Sequence, residues 1–361
     1  MKTNRNKDIF YTKLAFHQAE INLGSTKANP SVGCVIVKDN AIIHSGHTSR
    51  NGMPHAEANA LKKKLDYKNA DLYVTLEPCS HFGKTPPCIK EIISKKIRRV
   101  IFSINDNDVR SKNKAEKKLK KNKIIVKKFI QKNFAKNFYE SYFLKASNSL
   151  PFIDAKLAVS KDYFTINKKD KWVTNLKSRN LGNYLRSKYD CLLTTSKTIN
   201  NDNPLLNCRI EGLKKKTPSL IIIDRYFKIN KNARVFKKNP RDIYILTNIS
   251  NLSKENFLKK KGIKVIKISN KKYSDCNLIK IFMYIKKLGF SRIFVETGST
   301  FLSQLLKKKL IKNLYLFKSS KNLLQNGANN SNLLQIKKIK TSSNNKVNVN
   351  LSGDNLYKVK L

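Results

Sequence analysis

The chain has 361 residues, a length that favours two domains, and carries 75 Lys and Arg against 24 Asp and Glu for a formal charge of +51. Its 40% apolar content can fill two cores and excludes a wholly disordered chain. No run of about 18 apolar residues could form a membrane helix. The opening MKTNRNKDIFYTKLAF lacks the apolar core of a secretory signal, and six scattered cysteines suit a reducing compartment, so a cytoplasmic protein away from membranes is expected.

Residues 8–23 have apolar side chains at 10, 14, 15 and 21, a helical spacing that Gly24 ends. After Asn29-Pro30-Ser31, the run VGCVIVKD is short and apolar enough for a buried strand with Cys34 in the core. AIIHSGHTS (41–49) is its expected antiparallel partner across Asp39-Asn40. Pro54 precedes a helix, HAEANALKKKL, and YVTL (73–76) reads as the next strand. A helix over 86–96 and a strand in RRVIFSIND (98–106) complete a β-α-β unit, so a mixed sheet with helices on both faces is expected up to about residue 147. The aromatic-rich helix 135–150 leads to Pro151, and the domain boundary is placed at 147–150. PFIDAKLAVSKDYFT (151–165) then opens a new strand-led unit.

Two short strings carry the chemistry. Pro54-His55-Ala56-Glu57, with Pro78-Cys79 and Cys88, supplies one imidazole, two thiols and one carboxylate. That is the ligand set of a hydrolytic zinc site with an open fourth position, plus a carboxylate that need not touch the metal. His55, Cys79 and Cys88 are read as ligands. Zinc lowers the pKa of bound water to about 7, and Glu57 is the expected proton shuttle. His55 and Cys88 each stand at an expected helix start, where free amides favour thiolate. All five histidines (17, 44, 47, 55, 81) fall in the first 81 residues, so a histidine-dependent metal site cannot lie in the second half. His44 and His47 have no ligand partner nearby in sequence and are left out of the metal set.

The high positive charge invites a nucleic-acid reading. The lysines, however, are spread along the chain and often accompany asparagine, with no basic block interleaved with stacking aromatics. No nucleic-acid partner is expected, and the charge suits a phosphorylated small substrate. The sequence is compatible with a homo-oligomer.

The eight residues SHFGKTPP between Cys79 and Cys88 depart from the short cysteine spacing of general deaminases. TLEPCSHFGKTPPC (75–88) and NPSVGCVIV (29–37) instead resemble the bifunctional deaminase–reductase of riboflavin biosynthesis. The resemblance continues in PFIDAKLAVSKDYFT, where Lys156, Ser160 and Asp162 match and Tyr163 replaces a glycine. It extends through Trp172-Val173-Thr174, Asn183-Tyr184-Leu185-Arg186, DCLLTTSKTINNDNPLLNCR (190–209) and RIFVETGSTFLSQLL (292–306). It implies an α/β chain with two parts. The first, residues 1–147, would be a cytidine-deaminase-like mixed sheet with flanking helices acting as a zinc-dependent pyrimidine deaminase. The second, residues 148–361, would be a dihydrofolate-reductase-like α/β domain using NADPH.

The implied reactions are deamination of 2,5-diamino-6-(5-phosphoribosylamino)pyrimidin-4-one and NADPH reduction of the ribosyl group of the product to ribityl. By the same resemblance Asn29 lines the deaminase pocket, although a turn asparagine is an equal reading of the residue itself. In the second half it implies substrate contacts from Asp170, Arg186, Leu206, Arg209 and Glu296. Cofactor contacts would come from Ala158, Trp172, Thr198, Asp202, Gly298, Ser299 and Thr300, and a polar contact at the sugar from Lys156. The turn Gly298-Ser299-Thr300 between a strand and a helix offers amides suited to a pyrophosphate. Residues 106–113 lack the prolines and glycines of the family's substrate loop. Residues 318–348, rich in Asn, Ser and Lys, are read as a loose loop before closing strands near 346–361.

Two rivals make different demands. A nucleobase or tRNA deaminase with a basic accessory domain would share the zinc site. A zinc-stapled nucleic-acid-binding protein would need a fourth protein ligand and no role for Glu57.

Overall fold

The computed structural model of the chain describes residues 2–83, 85–145, 147, 149–237, 241–268, 278–328 and 342–361. Helix α1 (Lys2–Ile21) reaches further toward the N-terminus than its apolar spacing suggests and buries Tyr11, Ala15, Phe16 and Ala19. The small Ala15 and Ala19 let it lie directly on β1 (Gly33–Lys38). A Cβ at Gly33 would sit 1.9 Å from the Ala15 carbonyl oxygen, so only glycine fits there. β2 (Ala41–His47) pairs antiparallel with β1, as expected, through Asp39 and Asn40, whose φ of 49° and 64° match a tight hairpin turn.

The next elements are α2 (Ala56–Leu61), β3 (Asp71–Val74), α3 (Cys88–Ser94) and β4 (Arg99–Phe102). β3 and β4 are parallel, so the expected β-α-β unit is present. The strand expected over 73–76 lies two residues earlier, because at Thr75 the side-chain hydroxyl takes the Gly33 amide at 3.1 Å, while also lying 2.5 Å from the Tyr139 hydroxyl. α4 (Ala115–Lys121), β5 (Ile125–Lys128) and α5 (Lys132–Lys145) follow, giving a five-stranded sheet in the order β2-β1-β3-β4-β5. α5 ends five residues before the helix read from sequence.

Contacts divide the chain into the units Met1–Asn148 and Ser149–Leu361. The second unit is built on β6 (Phe152–Val159), the short β7 (Ile166–Asn167), α6 (Leu176–Arg186), β8 (Cys191–Thr195) and α7 (Ser196–Asp202). β9 (Ser219–Ile223), β10 (Ile243–Thr247), α8 (Leu252–Lys260), β11 (Lys264–Lys267) and α9 (Leu278–Lys287) come next. β12 (Arg292–Glu296), α10 (Ser299–Lys307), β13 (Asn313–Lys318), β14 (Gly327–Ala328) and β15 (Asn355–Lys360) complete it.

Eight strands form one sheet in the order β11-β10-β9-β8-β12-β6-β13-β15, parallel throughout except for β15. Central strands buried on both faces explain continuous apolar runs such as SLIII and RIFVE. Of the loop expected over 318–348, residues 329–341 lie outside the described residues. The closing strand is β15 alone, with isolated bridges at Lys346 and Leu351.

Chain leaving β8 proceeds to β9 on one flank of the sheet, whereas chain leaving β12 proceeds to β13 on the other. The adjacent C-terminal ends of β8 and β12 are therefore a topological switch point, where open α/β sheets bind ligands.

Candidate active sites

In the first unit, three elements deliver their ends to one point. His55 is the N-cap of α2 in extended backbone, and Cys88 is the first residue of α3 behind the N-cap Pro87. Cys79 lies in the loop after β3, where its Sγ accepts from the Cys88 amide at 3.2 Å and its carbonyl accepts from the Ile89 amide at 3.3 Å. The loop thus satisfies amides that the start of α3 would leave open.

His55 Nδ1 lies 3.6 Å from Cys79 Sγ and 3.5 Å from Cys88 Sγ. A tetrahedral zinc with bonds of about 2.3 Å to sulfur and 2.0 Å to nitrogen requires edges of about 3.5 Å between those atoms. The donor set and its spacing therefore fit zinc. Among the described residues, His55, Cys79 and Cys88 are the only three or more such side chains whose donor atoms converge within 4.8 Å. Among the described residues no fourth His, Cys, Asp or Glu donor joins them, which fits a catalytic more than a purely structural site.

Glu57, in the first turn of α2, is 4% exposed. Burial first, and then the Cys79 sulfur, push its carboxyl up to about 7. Hydrogen bonds from Cys88 and His55 favour thiolate at Cys79 and hold it down at about 4. His44 and His47 stay out of this cluster. His44 Nδ1 donates to the Ala60 carbonyl at 2.7 Å, and His47 contacts Gln18. Asn29 Nδ2 donates to the Gly52 carbonyl at 2.8 Å, which ties its loop to the residues just before His55.

The second unit gathers charge at its switch point. Lys156 on β6 and Glu296 on β12 are register partners on neighbouring parallel strands. Arg186, at the end of α6, makes a two-pronged pair with Glu296, Nε to Oε1 at 2.5 Å and Nη2 to Oε2 at 2.9 Å. Burial works against the Glu296 carboxylate, but Arg186 outweighs it and holds the carboxyl below its usual range. Burial lowers the Lys156 ammonium, with Glu296 opposing. Asp202, at the end of α7, is raised by burial, against the pull of Lys171 and Lys156.

Thr198 and Gly298 meet across the two strand ends, where the Gly298 amide donates to Thr198 Oγ1 at 3.3 Å. Gly298 caps α10, with Ser299 buried and Thr300 exposed behind it. Trp172 is 47% exposed, with the Arg179 guanidinium 4.4 Å from its ring centre. Asp170 is exposed in the same loop. Ala158 is half-buried on β6, Leu206 is buried with φ 51°, and Arg209 is exposed and donates to Asn207 Oδ1 at 3.2 Å.

Residues 5–104 match the family described as the cytidine and deoxycytidylate deaminase zinc-binding region, and residues 151–340 match the RibD C-terminal domain. The riboflavin biosynthesis protein RibD of Buchnera aphidicola subsp. Baizongia pistaciae is 33% identical over 356 residues, covering 92% of this chain and 94% of the relative. The chain belongs to the RibD family.

The RibD protein of Aquifex aeolicus is 32% identical, covering 87% of each chain. A solved Thermotoga maritima structure, described as a diaminohydroxyphosphoribosylaminopyrimidine deaminase/5-amino-6-(5-phosphoribosylamino)uracil reductase, is 26% identical and superposes with a TM-score of 0.78 over 99% of both chains. Acinetobacter baumannii RibD shares the fold at a TM-score of 0.80 over 99% of both chains, at 24% identity. The expected deaminase-like and reductase-like α/β folds are borne out. As a RibD family member the chain is a bifunctional deaminase and reductase of riboflavin biosynthesis, with zinc and NADPH as cofactors.

Within the RibD motif TLEPC, the sequence reading passed over Glu77. Its carboxylate is 3% exposed and accepts from the amides of Asp106, Asn113 and Ala115 at 3.0–3.1 Å. Ser111 Oγ adds bonds to the Ser80 amide at 3.2 Å and to His81 Nδ1 at 2.7 Å. The loop that departs from the family pattern is therefore anchored to the cysteine motif without the missing prolines and glycines. An acidic residue between Leu76 and Pro78, in an otherwise apolar strand end, was the available signal. Tyr163, in place of the RibD glycine, takes φ 69° and accepts a bond from Lys318 Nζ at 3.1 Å.

Proposed function

We propose that the first unit removes the 2-amino group of 2,5-diamino-6-(5-phosphoribosylamino)pyrimidin-4-one as ammonia. The second unit would then reduce the ribosyl group of 5-amino-6-(5-phosphoribosylamino)uracil to ribityl. The observation that carries the reading is the convergence of His55 Nδ1 with the Cys79 and Cys88 sulfurs beside the buried Glu57. The name of the Thermotoga relative supports the choice of substrates.

Zinc held by His55, Cys79 and Cys88 supplies Lewis acidity that makes water a nucleophile near neutral pH. Glu57 takes a proton from the attacking water and returns it to the substrate. The amino nitrogen leaves as ammonia and the ring carbon becomes a carbonyl.

NADPH supplies a hydride to the sugar carbon. Thr198 and Gly298–Thr300 hold the cofactor at the switch point, beside Ala158, Trp172 and Asp202. Lys156 and the Arg186–Glu296 pair orient the sugar, and Asp170, Leu206 and Arg209 complete the substrate contacts. Asn29 lines the deaminase pocket. The protein works in the cytoplasm on free phosphorylated pyrimidines and not on nucleic acid. No helix among the described residues is long and apolar enough to cross a membrane.

The test is a two-step assay with metal analysis, following ammonia release and NADPH absorbance separately. The expected result is about one zinc per chain, ammonia from the diaminopyrimidine, and NADPH consumption with the deaminated product. Deamination of RNA with no turnover of the phosphoribosylaminopyrimidine would overturn the reading.

A further inference from the structure

Arg241, just before β10, is a buried arginine that the functional reading leaves unused. Its Nη1 donates to the Leu206 carbonyl at 2.5 Å and its Nη2 to the Leu205 carbonyl at 2.9 Å. Its Nε is buried without a hydrogen-bond partner, and none of the ion pairs among the described residues includes it. A guanidinium removed from water with only carbonyls to meet is costly, and the charge of Arg186 repels it. Arg186 in turn donates Nη1 to the Asn207 carbonyl at 2.9 Å.

Three successive carbonyls, Leu205, Leu206 and Asn207, are thus turned onto two guanidiniums. In a trans peptide the N–H points opposite to the C=O. Arg241 therefore turns the amides of Leu206 and Asn207 the other way, and neither donates to any group among the described residues. Leu206 holds a left-handed φ of 51°, a conformation that costs free energy in a leucine unless its surroundings impose it. The Cys208 amide, one residue on, is fixed by Thr217 Oγ1 at 3.1 Å.

We propose that Arg241 is a positioning residue for the reductase reaction: it clamps the Leu205–Asn207 backbone so that the Leu206 and Asn207 amides, with Arg209 beside them, present a preformed donor edge to the phosphorylated end of the pyrimidine substrate. The proposal rests on the substrate assignment above. It adds a residue distant in sequence from the site segments, acting through backbone alone. A lysine can serve one carbonyl at a time, whereas the planar guanidinium serves two.

The test compares Arg241→Lys and Arg241→Met with the wild-type zinc-loaded full chain. For reduction of the deaminated substrate, Arg241→Met raises KM about ten- to a hundredfold while kcat and the KM for NADPH stay within about twofold. Arg241→Lys falls between the two, and ammonia release is unchanged. Hydrogen exchange at Cys208, whose amide Thr217 Oγ1 holds, speeds up in both variants, more in Arg241→Met. An unchanged substrate KM, or parallel losses in substrate KM, NADPH KM and kcat, overturns the positioning role. If the wild-type protein does not turn over this substrate, the functional assignment fails by itself. Exchange then still decides the clamp: protection of the Cys208 amide that survives undiminished in both variants overturns it.

Discussion

At the scale of single residues, the proposed deaminase site separates holding a metal from moving a proton. Glu57 sits beside the ligands but is not among the converging donors. Glu57→Gln keeps shape and burial while removing the exchangeable proton, so zinc content is expected to stay at the wild-type level. Ammonia release should fall about 10²–10⁴-fold. Metal analysis and ammonia assay on one preparation check both, and equal loss of zinc would assign Glu57 a structural role. Glu77 makes the opposite prediction. Replacing its carboxylate by an amide sets an NH₂ against backbone N–H donors and costs about 1–3 kcal/mol of stability. Glu77→Gln should therefore lower the melting temperature and raise the deaminase KM through the 106–113 loop, with zinc retained.

At the scale of elements, the close approach of α2 to β2 places both His55 and Glu57. A Cβ at Gly46 would lie 2.5 Å from the Ala56 carbonyl oxygen and 2.5 Å from the Ala60 amide, both backbone atoms. Gly46→Ala must push α2 outward, which is expected to cost about 1–3 kcal/mol and to weaken zinc binding in a competition titration. The same substitution at Gly182 in α6, where a Cβ meets nothing within 4 Å, should stabilise by about 0.5–1 kcal/mol. Opposite signs for one chemical change would locate the cause in packing.

The elements also show what could be read in advance. His55, Cys79 and Cys88 were legible because helix starts and strand ends fix where such side chains point, and local sequence marks both. α4 and β5 were not, since AEKKLKKNKIIVKK buries little beyond Ala115, Leu119 and Ile124, and an edge strand of alternating exposure looks like a lysine-rich loop. The Arg186–Glu296 pair was also illegible as a pair. The two residues stand 110 positions apart and meet only because β12 lies between β8 and β6.

For the molecule as a whole, the chain's division into two units predicts separable chemistry. Cys88→Ala should lose zinc and ammonia release yet still oxidise NADPH when given the already deaminated substrate. Loss of both activities would mean that the second unit depends on the first. The cation-flanked indole of Trp172 offers a way to watch one half alone, because it is the single tryptophan in 361 residues. Its half-exposed ring sits in the loop assigned to NADPH. Emission excited at the indole band should therefore dim when the dinucleotide arrives and ignore stripping of zinc by a chelator, giving an optical readout for one half of a two-part enzyme with no label attached.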